Sequence, residues 1–518
     1  MKRKLFSQIK PNTYFDSVRL MRVSELLSGL PGIQQAIVAM GTEANKRVLA
    51  ETQLLTDQVQ AAGPNDLVLV VEADSAEAAR EALRQAEAKL SETAAPAADT
   101  GQAATRPRFF QQARQSLPGA NLALISVPGP YARLEAAQAL HAGMHVFLFS
   151  DNVTLDEEVE LKRWAVAKGR LMMGPGAGTA IINGVALAFA NGVRRGPIGL
   201  VAASGTGLQE VTCLIDRGGS GISQAIGVGG RDLSEPIGGL MMRHGLAMLA
   251  ADPATGLIVL ISKPPAPTVA ETILKVARSC GKPVIINFLG SRHAEQENGI
   301  TFTATLEETA EAALERVGGQ RKTYFGLTPE QVEILAAAER RQLAPGQRYL
   351  RGLFSGGSLC DEAMLILAGR LPALYSNIPL RPAWALADGW RSRDHSCIDM
   401  GAEEFTSGRP HPMIDPRLRQ ERLLKEAEDK TVAVILLDVV IGYGSHADPA
   451  GALVETIREA KAKAAAQGRY LAVVAHVCGT DRDPQGLQRQ ENLLREAGAL
   501  TLPTNAQAAR VAAAIVQR

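Results

Sequence analysis

From residue 121 onward one pattern keeps returning. A short unbroken apolar run is followed by a turn of Gly, Ser, Pro or Asp, and then by apolar positions three and four apart. The runs Asn121-Leu-Ala-Leu-Ile-Ser-Val127, Val146–Phe149, Leu171–Met173, Ile198–Ala202, Gln224–Val228, Leu257–Ile261 and Val284–Phe288 predict strands buried on both faces. Ala132–Ala142 and Leu155–Lys168 have helical spacing, and further helices are predicted to begin after Gly207, Gly238, Pro267 and Thr305. The same alternation continues through Arg351–Phe354, Val432–Asp438 and Tyr470–Val477, with helices at Pro449–Gln467 and Gln485–Ala497. Strands that alternate with helices make parallel sheets, so the predicted class is α/β, with several doubly wound, Rossmann- or flavodoxin-like domains.

The chain before residue 91 reads differently. A helical pattern at Val18–Leu30, strands at Ala36–Met40 and Leu67–Val71, and an Ala/Glu/Arg-rich helix at Ala76–Leu90 predict a small α+β unit over 1–90. Residues 91–108 shift to Ala, Thr, Pro and Gly and read as a linker. The expected domains are then 109–197, 198–320, a linker helix within 321–347, and 348–518.

Two of the strand-to-helix turns stand out. Ile198-Gly-Leu-Val-Ala-Ala runs into Ser204-Gly-Thr-Gly-Leu-Gln-Glu210, and Arg351-Gly-Leu-Phe runs into Ser355-Gly-Gly-Ser-Leu-Cys-Asp-Glu362. Each has almost no side-chain bulk at the start of a helix, where free N–H groups and the positive dipole end attract anions. Each is equally a tight turn in which glycine supplies positive φ and close packing. Their repetition is the reason to expect a phosphate cradle at Ser204, Gly205, Thr206 and Gly207, a second at Ser355, Gly356, Gly357 and Ser358, and one anion shared between them.

Composition narrows the partners. The chain of 518 residues has 55 Lys plus Arg against 54 Asp plus Glu, a net charge of +1, which offers no field for nucleic acid or an anionic membrane. Five widely spaced cysteines without a C-x-x-C pair fit a reducing compartment, and the basic start leads into no apolar core, so a cytoplasmic location is expected. No His/Cys/Asp spacing predicts a metal. Other candidate chemistry lies in Gly408-Arg-Pro-His-Pro-Met-Ile-Asp-Pro416, where Arg409 can clamp an anion and His411 can act as acid or base. The alternative there is a structural loop in which Asp415 caps the following helix. Arg231 and Asp232 either position an anion or pair with their neighbours in a surface turn.

In the order of its motifs the chain resembles the succinyl-CoA synthetase superfamily. Met173-Gly-Pro-Gly-Ala-Gly178 looks like that family's I-G-P-N-x-x-G turn, Ala203–Glu210 like its S-x-S-G-T-L-x-x-E helix start, and Ile226–Asp232 like V-G-I-G-G-D. Ala251–Leu260 looks like D-P-x-T-x-A-I-V, and Cys478-Gly-Thr-Asp481 stands where E-G-T-N is found. Residues 121–290 resemble the α subunit, and 350–515 the carboxy-terminal part of the β subunit. More specifically, Pro11–Val18, Phe149–Val153, Gly229–Ser234, Gly408–Pro416 and Asp438–Gly444 resemble the FdrA family over nearly the whole chain. That resemblance implies an acyl-CoA synthetase-like protein, in some members a carbamoyltransferase subunit of anaerobic purine and allantoin breakdown, working with further subunits and a carbamate kinase.

There are departures from the pattern. The family's G-H-A-G-A turn, which carries the phosphorylated histidine, is replaced by Gly290-Ser-Arg-His-Ala-Glu-Gln-Glu-Asn-Gly299, so His293 is not expected to be phosphorylated. Its G-E-I-G-G carboxylate is replaced by Lys263. The expected function is an enzyme subunit that handles an acyl or carbamoyl phosphate. The cradles would hold the phosphoryl oxygens, Lys263 and Arg231 would neutralise charge, Arg409 and His411 would assist, and phosphate or carbamoyl phosphate would be the ligand. The preferred reaction is phosphorolysis of a ureido acid. The alternatives are an ADP-forming acyl-CoA synthetase whose CoA and nucleotide sites lie on partner subunits, and a non-catalytic anion-binding subunit.

Overall fold

A computed structural model describes the chain apart from residues 1–3, 14, 16, 43–44, 47–48, 51, 53, 92–106, 108, 292–295, 298, 319–324, 407–408 and 518. His293 and most of the linker lie outside the described residues. The described chain divides into two compact units, residues 1–106 with 407–409, and 107–406 with 410–518.

In the first unit Leu67–Ala73 is the middle strand of an antiparallel sheet between Lys4–Lys10 and Ile33–Met40. Its alternation feeds two cores. Leu67, Leu69, Val71 and Ala73 pack with the helices Ser17–Ser28 and Ala76–Ser91, while Val68 and Val70 pack with Leu49, Leu54 and Val59.

The second unit holds three sheets. A three-stranded parallel sheet joins Leu122–Ile125, His145–Leu148 and Met172–Met173. An eight-stranded sheet is centred on Arg195–Ala203, with Ile222–Gly227 and Leu257–Ser262 parallel on either side and Val284–Phe288 and Ile300–Phe302 beyond. Its other edge is a hairpin, Thr179–Ile182 and Val185–Ala188, which turns on Asn183 and Gly184 at φ of 50° and 81°; this Asn-Gly pair is a hairpin signal that the strand-helix alternation passes over. A six-stranded parallel sheet runs in the order Tyr375–Ser376, Ser396–Asp399, Tyr349–Phe354, Val432–Val440, Ala472–Cys478, Leu500–Leu502.

One apolar core spans the two larger sheets. Between them lie the helices Gly205–Arg217, Gly357–Ala368 and Asn505–Val516. The first of these is buried from Thr206 to Asp216 without a break, and it carries Gln209, Glu210, Thr212 and Asp216 into the interior with it. The interior also buries polar groups, and these are paired: Glu210 with His476 at 2.8 Å, Glu362 with Asn505 Nδ2 at 2.7 Å, and Glu307 with Arg510 at 2.7 Å.

Candidate functional site: two helix starts meeting at Ser204 and Ser358

Both cradle helices start at the carboxyl ends of central strands, Gly205 after Arg195–Ala203 and Gly357 after Tyr349–Phe354. Ser204 caps the first, its Oγ accepting from the N–H of Gly207 at 3.1 Å. The same hydroxyl donates to Ser358 Oγ at 2.7 Å, and the N–H of Ser358 donates to Thr206 Oγ1 at 3.2 Å. The two helix starts, 154 residues apart in sequence, are therefore in direct contact.

The second cradle differs from the expectation. Its first N–H groups are already taken by an internal anion: Ser355 N donates to Asp438 Oδ1 and Gly356 N to Asp438 Oδ2, both at 2.7 Å, and Ser355 Oγ adds a bond at 3.1 Å. Asp438 is fully buried, and Arg419 Nη2 lies 3.1 Å from it. A carboxylate from the neighbouring strand thus occupies the position assigned to phosphate at Ser355 and Gly356. Gly205 is exposed and Gly357 partly so, and it is at these two positions that the paired helix starts open outward. Neither Gly205 nor Gly356 takes a positive φ. Gly356, at φ −105°, is required by packing, since a Cβ would stand 2.9 Å from Thr206 Cγ2; at Gly205 the nearest atom would be Thr179 Oγ1 at 3.8 Å.

Around Gly357 the fold gathers groups that spacing alone does not connect. A Cβ built on Gly357 would lie 2.7 Å from Asp399 Oδ2, so that carboxyl sits against the helix start. Its other oxygen accepts from the N–H of Gly401 at 2.9 Å, and Asn377 brackets its backbone on both sides. Burial raises the Asp399 carboxyl to about 7, with Lys263 and the Gly401 N–H opposing and Asp361 and Asp438 adding to the rise. Lys263 pairs with Asp361 at 2.6 Å. Burial works against the lysine's charge, but Asp361 outweighs it and keeps Lys263 above its ordinary value; burial lifts Asp361 despite that partner. The lysine is therefore already matched by a carboxylate, which its place in the sequence does not reveal.

The remaining expected residues divide. His411 comes to this site: its Nε2 lies 2.7 Å from where a Gly401 Cβ would stand, and its ring lies 5.7 Å from that of Phe189. Its Nδ1 accepts from the N–H of Met413 at 3.2 Å, placing the proton on Nε2. Burial drops its pKa to about 4, so at neutral pH it is an uncharged donor and not the acid or base expected. Asp415 takes the structural role, accepting from the N–H of Arg417 at 3.0 Å at the start of the following helix. Arg409 groups with the first unit. Arg231 is committed elsewhere, 2.8 Å from Glu158 Oε2 and 2.8 Å from the carbonyl of Val153. Glu158 is shared with Lys162, which also meets Asp232 at 2.7 Å, and Asp232 accepts from the N–H groups of Met241 and Met242. The buried pairs of Lys162 with Glu158 and Asp232 fix the helix Leu155–Ala167 against the start of Leu240–Ala251, while Arg231 sits half-exposed in a turn and pairs with Glu158 from outside. The sequence pattern places Asp438, at the end of a buried strand, at a sheet's ligand-binding edge, whereas nothing in it points to Asp399 or Asp361 for this site.

Among the described residues no helix is long and apolar enough to cross a membrane, and no cluster of His, Cys, Asp and Glu could hold a metal. Comparison with known proteins places this geometry in a class. Residues 353–515 match the family described as CoA-ligase, 194–290 the CoA binding domain, and 1–107 the AllF, heavy metal-associated domain. The matched first segment contains neither cysteine nor histidine, and of the side chains soft metals favour it has only the methionines Met1, Met21 and Met40, so it lacks the thiolate and imidazole donors of a heavy-metal site. The second unit thus has an acyl-CoA synthetase-like fold of the succinyl-CoA ligase kind.

Over 493 residues the chain is 48% identical to the uncharacterized protein YahF of Escherichia coli (strain K12), covering 95% of each, and it belongs to the same family. It is 27% identical to the ADP-forming sulfoacetate-CoA ligase subunit SauD of Bilophila wadsworthia over 34% of this chain, and 29% identical to the succinate–CoA ligase [ADP-forming] subunit alpha of Aquifex aeolicus over 33%. The matched regions span 61% and 57% of those subunits. Among solved structures, the apo dinucleotide-forming acetyl-coenzyme A synthetase 1 of Ca. Korarchaeum cryptofilum aligns with 76% of this chain and 82% of its own, at 16% identity and a TM-score of 0.30.

Proposed function

We propose that the chain is an FdrA-type subunit that handles an acyl or carbamoyl phosphate, with carbamoyl transfer as the preferred reaction. The observation that carries this reading is the 2.7 Å hydrogen bond between Ser204 and Ser358, which joins two helix starts at one point. Backbone N–H groups at Gly205, Thr206 and Gly357 would receive phosphoryl oxygens there, and fixed donors of this kind stabilise charge that develops during transfer.

In phosphorolysis of a ureido acid, a phosphate oxygen attacks the carbamoyl carbon, the carbon–nitrogen bond breaks, and the leaving nitrogen takes up a proton. Asp399, poised near 7 against the helix start, would donate that proton. His411 would donate a hydrogen bond from Nε2, and Lys263, held by Asp361, would offset the local acidity. The products are carbamoyl phosphate and an amine or amide. Further subunits and a carbamate kinase belong to this reading as partners.

A second reading is favoured by the CoA-ligase and CoA binding domain matches: ADP-forming acyl-CoA synthesis with partner subunits. The acyl phosphate of that reaction is a mixed anhydride like carbamoyl phosphate and would use the same N–H groups. The two are separated by incubating the chain and its co-purifying partners with ureido acids and inorganic phosphate, and in parallel with ATP, CoA and carboxylic acids. Formation of carbamoyl phosphate supports the first. Acyl-CoA formation together with ADP supports the second, and sulfate or phosphate binding without turnover in either mixture leaves an anion-binding subunit.

A further inference from the structure

Next to the paired helix starts lies a cleft of about 470 Å³, within the range of small-molecule sites. It runs along the outer side of the helix Gly357–Ala368, from Asp361 near its start to Ala368 and Gly369 at its end, and is closed by the segments after Leu257–Ser262 and Val284–Phe288 and by the turn at Leu380–Trp384. The helical rise puts the Asp361 end roughly 6 Å from Gly357 and the Ala368 end roughly 16 Å from it. Three observations give the cleft a chemical preference. Its walls are largely apolar, including Leu289, Leu365 and Leu380. Its near end carries the matched pair Lys263 and Asp361. Its far end carries Arg381, whose guanidinium lies 4.4 Å over the ring of the nearly buried Trp384 and meets no carboxylate among the described residues.

Lys263 and Asp361 cancel, so Arg381 supplies the uncompensated charge of the lining. An arginine held over an indole can still present N–H groups to a planar carboxylate, and the ring contact reduces the entropy lost on binding. Gly290 keeps the mouth open, since a Cβ there would press within 3.1 Å of Leu365.

We propose that this cleft binds an organic acid with an apolar body, its carboxylate on Arg381 and its other end directed past Lys263 toward Gly357. The orientation rests on the transfer reading above; the binding itself does not. In that reading the cleft selects the acid whose acyl or ureido group reaches the phosphate.

The test is calorimetric titration of the full chain with hexanoate and N-carbamoyl-L-leucine as acid probes, hexanamide as the neutral control, and sulfate as a separate report on the helix starts. Both acids are expected to saturate, and hexanamide to bind more weakly. Arg381→Gln should weaken the acids roughly tenfold or more, the worth of one charge-assisted hydrogen-bonded pair, and leave hexanamide unchanged. Ala368→Phe, at a partly exposed helical position, should block all three organic probes. Thermal melts matching the parent protein would show that both variants fold. The proposal is overturned if the parent shows no saturable acid binding, or if the acids bind Arg381→Gln or Ala368→Phe as they bind the parent. Acid binding that survives while sulfate binding is absent would sink the transfer reading and leave the cleft standing; the reverse result would sink the cleft alone.

Discussion

Asp399 concentrates the chemistry of the site because it is both buried and placed at a helix start. Its folded value of about 7 means it is neutral below that pH and a carboxylate above it. A carboxylate beside Gly357 would repel an incoming anion, so anion affinity should be highest below pH 7 and fall as pH rises through it. Sulfate, which does not titrate in this range, is the suitable probe. In Asp399→Asn the pH dependence near 7 should vanish, and an unchanged slope in that variant would remove Asp399 from the site. The two glycines should separate equally cleanly. Gly205→Val has room for its Cβ and should fold normally while losing phosphate affinity roughly tenfold or more. Gly356→Val meets Thr206 at once and should lose about 1–3 kcal/mol of stability, read from denaturant melts. Equal phosphate affinity in a folded Gly205→Val protein would contradict the cradle at Ser204–Gly207.

Among the elements, the helix Gly205–Arg217 is held to the strand Ala472–Cys478 by the buried Glu210–His476 pair. Burial disfavours charge on both, but each favours the other's charged form, so His476 lies above its ordinary value and Glu210 below. The sign follows for each. The histidine's contribution is complete below its unfolded value and is lost as pH rises through the raised folded one. The glutamate's is present above its unfolded value and is lost as pH falls through the lowered one. Breaking the pair strands a charge in the interior: His476→Ala should cost about 3–5 kcal/mol, and the double change Glu210→Gln with His476→Ala less than the sum of the two single changes. Additive losses in denaturant melts would show that the two side chains do not act as a pair. Asp438 performs a similar function for the helix Gly357–Ala368, satisfying donors at its start that the sequence pattern assigns to a ligand.

At the scale of the molecule, a single core runs between the eight-stranded and six-stranded sheets. Two sheets that share their interior cannot expose one inner face without exposing the other. Calorimetry on residues 107–518 should therefore show the two sheets unfolding in one transition. Separate transitions for the regions matched to the CoA binding domain and to CoA-ligase would mean that the shared core does not couple them.

What was legible in the sequence was local. Unbroken apolar runs identified the strands, though Leu122–Ile125 leaves Leu124 exposed and is not buried on both faces as expected; the 3.6-residue spacing identified the helices, and the Ser-Gly turns marked where both cradle helices begin, because each of these signals lies within a few neighbouring residues. The hairpin at Thr179–Ala188 carried a local signal too, Asn183-Gly184 between Ile182 and Val185, and was passed over because its strands are only four residues each. What only the tertiary structure decided was which groups meet. Ser204 touches Ser358, 154 residues further along the chain, Asp438 fills donors offered 82 and 83 residues earlier, and Asp361 claims the charge of Lys263. Arg231 carries its charge in the sequence, yet only the fold shows that Glu158 pairs with it. The physical reason is that a side chain's chemistry travels with the residue, whereas its burial, its partner and the protonation state they impose are set by segments remote in sequence. That is why Asp399 and His411, an ordinary carboxylate and an ordinary imidazole when read in the chain, become in the fold an acid near 7 and a neutral donor.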